Sequence, residues 1–141
     1  MHAPRAGDAA LTEPEALAAL AWTAVCADGV IAQEEEMDLV DQLARLRAFE
    51  GARERDLRET LAKVERLSRE WGENRLVEAA GAALRPDVRP SAFFVVCDIV
   101  GADGDVGPEE RRLIERARAA LGLDPALAER IVEVATLKNR V

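Results

Sequence analysis

Two short stretches concentrate the chemistry of this 141-residue chain: "AVCADGVIAQEEE", from Ala24 to Glu36, and "IVGADGDVGPEER", from Ile99 to Arg111. At an offset of 75, Asp28 falls on Asp103, Gly29 on Gly104, Ile31 on Val106, Glu34 on Glu109 and Glu35 on Glu110. Carboxylates grouped this way are hard oxygen donors and suit a divalent cation such as calcium. Asp28 to Asp41 holds six carboxylates and no base, and Asp98 to Glu110 holds five and no base. Like charges so gathered repel one another unless a counter-ion neutralises them.

The shared pattern, A-D-G-x-[IV]-x-x-E-E, matches the second half of an EF-hand loop: an acid before the glycine, an apolar residue two positions after it, and a closing glutamate. The first half does not match. Its ligand positions would fall on Ala24 and Cys26, or on Ile99 and Gly101, none of which offers a side-chain oxygen. The candidate ligands are Asp28, Glu34 and Glu35 in the first copy and Asp103, Asp105, Glu109 and Glu110 in the second. One loop alone falls short of the six to eight oxygens calcium takes. Water would complete the shell, or the two loops would pool ligands. Asp98 and Asp105 enrich the second copy, which is therefore expected to bind more tightly. A plainer reading stands beside this one: Asp-Gly makes turns, and acids in a first helical turn favour the positive end of the helix dipole.

These corners need helices to hold them. The composition favours helix, with abundant Ala, Leu, Arg and Glu. The first helix opens at "TEPE", where Thr12 and Glu15 form a capping box and Pro14 sits in the first turn; it runs to about Ala27. The second runs from about Gln33 to Ala48. The third covers roughly Arg53 to Trp71, with Leu57, Leu61, Val64 and Leu67 at helical spacing. The fourth runs from about Asn74 to Leu84, and "RPDVRPS" breaks the chain. The fifth begins after Ser91; "AFFVVCDIV" is apolar nearly all round and should be the most buried helix. The sixth begins at Pro108 and ends near Gly122, a left-handed cap. The seventh opens at Asp124-Pro125, with Leu127, Ile131 and Val134 as its core stripe. The expected architecture is all-α: a single-domain bundle of about seven helices with an internal pseudo-two-fold duplication of helix–acidic loop–helix. Residues 1–10 form a flexible arm and 11–141 the domain.

The two segments "ADGVIAQEE" and "ADGDVGPEERRLIERARAALGL" resemble the signature segments of the bacterial tellurite-resistance TerB family, whose relatives include the N-terminal domain of the membrane-linked co-chaperone DjlA. The resemblance covers about Leu11 to Leu137. It implies an all-helical bundle with pseudo-two-fold symmetry, a cytoplasmic stress-response role, and metal ligation by Asp28, Glu35, Asp103 and Glu110, joined by Glu34 and Glu109. It further implies partners in a stress-response or membrane-associated complex, including a peripheral place at the inner membrane reached through them. The chain shows no J domain or membrane anchor, so chaperone work of the DjlA type is not implied.

Other classes fit poorly. A net charge of −8 opposes binding to nucleic acid. His2 is the only histidine and lies in the arm, so no Cys–His or Ser–His pair is available, and the chain is read as non-enzymatic. "GADGDVG" lacks the GK[ST] ending of a phosphate loop. Cys26 and Cys97 are read as free cytosolic thiols. No apolar run is long enough to span a bilayer, and no direct membrane insertion is expected. The alternative to a metal-binding module is an acidic adaptor that meets basic partners without metal.

Overall fold

The computed structural model describes residues 11–27, 31–101 and 106–141. The expected arm, residues 1–10, lies outside the described residues, as do Asp28, Gly29, Asp103, Gly104 and Asp105. Among the described residues there are seven α-helices and no strand. They are α1 (Glu13–Val25), α2 (Gln33–Ala44), α3 (Glu54–Trp71), α4 (Glu73–Ala83), α5 (Arg89–Val100), α6 (Pro108–Ala120) and α7 (Pro125–Lys138). Single 3-10 turns, Arg47–Phe49 and Pro86–Val88, precede α3 and α5.

Helix starts follow their local chemistry. The Thr12 N–H donates to Glu15 Oε1 at 2.9 Å and the Glu15 N–H to Thr12 Oγ1 at 3.2 Å, the reciprocal capping box expected of "TEPE". Asp124 caps α7 by accepting from the Leu127 N–H at 3.4 Å. Gly122, at φ +66°, ends α6 in a Schellman arrangement: the Leu123 N–H donates to the Arg118 carbonyl and the Gly122 N–H to the Ala119 carbonyl, both at 3.1 Å. Two boundaries differ from expectation. α2 stops at Ala44 and gives way to a 3-10 turn that buries Phe49. α5 starts at Arg89 instead of after Ser91. Pro90 lies in its first turn, where a proline has no hydrogen bond to lose, so "RPDVRPS" leads into the helix.

The most buried helix is α1, not α5. Eight of the 13 residues of α1 are buried, against five of 12 in α5. Ala16, Ala18, Ala19 and Ala21 leave so little bulk that neighbours close in on every side, and α1 packs against α2, α3, α4, α5 and α6. Thr23 is the one buried polar residue among those described, and its hydroxyl donates to the Ala19 carbonyl at 2.8 Å. The bulkier α5 buries one face, including Phe93 and Val96, and leaves Phe94, Val95 and Ile99 half-buried.

The stripe expected on α7 holds in part: Leu127 and Ile131 are half-buried against the core, but the fully buried residues are Ala128 and Ala135, and Val134 is 55% exposed. The small alanines set the close approach to α5, and that rotates Val134 outward. Lys138 and Asn139 then fasten the end of the helix to Asp98: Lys138 Nζ lies 2.8 Å from Asp98 Oδ1, and Asn139 Nδ2 lies 3.2 Å from the same oxygen.

Glu15 has a second task besides its cap. Its Oε2 accepts from Lys63 Nζ at 2.7 Å, tying α1 to α3. Partial burial pushes its pKa up, but the Lys63 ammonium and the Thr12 N–H outweigh that, and the carboxyl is held below its ordinary value. A depressed carboxyl stabilises the fold above the unfolded-state pKa and loses that contribution as pH falls through the folded value. Glu15→Gln keeps an acceptor for the cap and removes the charge. It should cost about 0.5–1 kcal/mol at neutral pH, the Lys63 end being partly solvated, and the difference from the parent should vanish in acid. Paired urea melts at neutral and strongly acidic pH check this.

Candidate metal corners

The helix ends around the two acidic stretches recur at the sequence offset. α1 ends at Val25 and α5 at Val100, and their capping residues Cys26 and Gly101 share φ −84° and ψ −1°. α2 opens at Gln33 and α6 at Pro108. The preceding caps are extended in both, with φ −81° at Ala32 and −78° at Gly107. Ile31 and Val106 are half-buried against the core, as expected of the apolar position in the pattern.

The closing glutamates do the same work in both copies. Glu35 Oε1 accepts from the Ala32 N–H at 3.2 Å, and Glu110 Oε1 accepts from the Gly107 N–H at 2.9 Å. Each is the return half of a capping box. The forward half is missing, because neither Ala32 nor Gly107 has a side-chain acceptor. This leaves Oε2 of each glutamate without a hydrogen bond to a described residue. Glu34 and Glu109 are exposed and make no hydrogen bond or ion pair with a described residue.

The described part of each corner thus offers two of the candidate glutamates, and the first copy carries Glu36 in the same helical turn. Carboxylate oxygens fit a hard divalent cation in kind, but these side chains fall short of its usual number. Among the described residues, no three His, Cys, Asp or Glu side chains gather at one point. Asp28, Asp103 and Asp105, the candidates that would raise the count, lie outside the described residues.

Asp98 does not strengthen the second corner. It is turned to α7 and engaged by Lys138 and Asn139. The second corner also carries Arg112, which lines a shallow hollow with Gly107, Pro108, Glu109 and Glu110. The first copy has Met37 at that offset. The expectation of tighter binding at the second corner therefore loses Asp98 as a support and gains an opposing cation. The Asp98–Lys138 pair spans 40 residues and leaves no local spacing signal in the sequence.

Neither cysteine is in a disulfide with a described residue. Burial, and after it the Asp98 charge, push the Cys97 thiol up to about 12, which leaves almost no thiolate at neutral pH. Cys26 is half-buried. In the native protein Cys26 should react with iodoacetamide at least roughly tenfold faster than Cys97, as read by a mass-spectrometric time course.

The family model for the tellurite resistance protein TerB matches residues 14–133, a span that takes in both acidic corners and most of α7. The chain belongs to the TerB family. No curated protein and no solved structure matches it. As a TerB-family domain it is all-helical, and no helix among its described residues is long and apolar enough to cross a membrane.

Proposed function

We propose that this TerB-family domain is a non-catalytic bacterial stress-response module that binds a divalent cation, calcium foremost, at its two acidic corners. Asp28, Glu34 and Glu35 would serve the first corner, and Asp103, Asp105, Glu109 and Glu110 the second. The observation that carries the reading is the repeated placement of Glu35 and Glu110. Each is fixed by one oxygen to the cap of its helix, and its other oxygen makes no hydrogen bond with a described residue. The positive helix end orders these carboxylates without neutralising them fully. A bound cation would supply the missing charge and join the end of one helix to the start of the next.

Each corner is best taken as its own weak site completed by water. Pooling of ligands between corners draws no support from the packing: α2 lies on α1 and α3, while α6 lies mainly on α4 and α5 and only lightly on α1. The proposed setting is the cytoplasm, within a stress-response complex that reaches the inner membrane through partner proteins. The non-catalytic reading rests on the single histidine, His2, and on acids that stand at helix starts.

One observation favours the acidic adaptor instead: Glu35 and Glu110 already have structural work as caps. Thermal melts separate the two readings. At tenfold excess over Kd, calcium should add roughly 1.4 kcal/mol of stability per occupied corner beyond that of a monovalent salt at equal ionic strength. Asp103→Asn combined with Glu110→Gln should remove the second corner's share of that gain. The apo stability should stay within about 0.5 kcal/mol, because glutamine still accepts the Gly107 N–H. No metal-specific gain with calcium, manganese or magnesium would leave the adaptor.

A further inference from the structure

Two adjoining hollows flank α1 on one side. The first, about 370 Å³, is floored by Ala21 and walled by Leu39 and Leu46 on one side and by Phe94, Val95 and Ile99 on the other. The second, about 530 Å³, continues past Leu17, Ala48, Val88 and Ala92. Leu46 and Val95 line both, so the two form one groove that follows α5 from Ser91 to Ile99. That is roughly 12 Å, the length of about two helical turns. Its apolar lining is partly open to solvent: Leu17, Leu46, Val88, Phe94, Val95 and Ile99 are all half-buried.

The rim carries a distinct charge. Glu13 is bonded to Arg85, with 3.1 Å between its Oε2 and the Arg85 Nε, and Asp98 is bonded to Lys138. Both rim acids are therefore neutralised. Arg45 and Arg47, on the opposite wall, make no ion pair or side-chain hydrogen bond with a described residue. The groove thus presents two uncompensated positive charges beside an apolar floor, in a chain whose net charge is −8.

We propose that this groove receives an amphipathic helix of a partner protein, with its apolar face on Leu17, Leu46 and Val95 and carboxylates on its flank facing Arg45 and Arg47. Charge complementarity selects the acidic flank, and the apolar floor selects the helical face. An acyl chain fits less well. Both hollows are half-open, so a chain lying in them would leave one side in water, whereas an amphipathic helix supplies its own polar outer face. A second copy also fits less well. Its exposed apolar residues on α7, Val134 and Leu137, are flanked by Arg130 and Arg140 as well as by Glu133, so that face lacks the uniformly acidic flank that Arg45 and Arg47 select. The inference is independent of metal binding at the corners.

The test is an amide NMR titration of the full chain with a model peptide of about four helical turns, leucines at i, i+3, i+4 and i+7 and glutamates elsewhere, against a twin carrying lysines. The glutamate peptide should move the amides of Leu17, Leu46 and Val95 and bind at least roughly tenfold tighter than its twin. Arg45→Glu with Arg47→Glu should reverse that preference. Equal binding of the two peptides, or groove amides that neither peptide moves, overturns the proposal. So does sodium oleate moving these amides where the glutamate peptide does not, or their shifting with protein concentration alone or on removal of residues 1–10.

Discussion

Phe93→Ala is expected to remove about 3–5 kcal/mol of folding stability, the largest loss from any single truncation in this chain. Phe93 is fully buried on α5, the helix that joins α1 to both α6 and α7. Truncation removes the ring's transfer free energy and leaves a void that rigid helices fill poorly. A domain of this size has about 5–15 kcal/mol in all, so the variant should remain folded only narrowly. Urea melts should show a lower midpoint with an unchanged slope. A loss under about 1 kcal/mol would mean that α5 is not central to the core.

Gly81→Ala should cost about 2–3 kcal/mol, although the same change in a helix exposed to solvent gains about 0.5–1 kcal/mol. Gly81 lies in α4 where it crosses α6. A β-carbon there would sit 2.7 Å from the Ala120 carbonyl carbon, closer still to its oxygen, and 3.2 Å from the Ala120 Cβ. The obstacle is mostly backbone, so the two helices must separate. Adding Ala120→Gly should therefore restore little. Full rescue by that second change would place the conflict in the side chain.

Much of the fold is legible in the sequence where a few neighbouring residues decide the outcome. Thr12 with Glu15, Pro108, Asp124 with Pro125, and Gly122 each mark a helix end by local hydrogen bonding or backbone preference, and each does so in the structure. What depends on packing is less legible. Alanines give little pattern, so the central place of α1 and the outward turn of Val134 are invisible until neighbours are in place. The start of α5 is hard to read because a proline in a first turn looks locally like a break.

The acidic pairs stand out in sequence through their repetition and lack of bases. Their capping geometry does not, because Ala32 and Gly107 occupy the place where a serine or threonine would complete the usual capping-box pattern. Asp98 lies beside the second loop along the chain, yet α7 claims it through a contact 40 residues away. The groove along α5 has no sequence signal, since its walls come from separate helices.

Manganese offers the most direct test of the corners, because its unpaired electrons broaden nearby amide resonances. At substoichiometric manganese, the amides flanking Asp28 and Asp103 and those of Glu34, Glu35, Glu109 and Glu110 should fade first, and excess calcium should restore them. Broadening spread over all exposed carboxylates, or centred on the acids of α3, would contradict a cation held at the two corners.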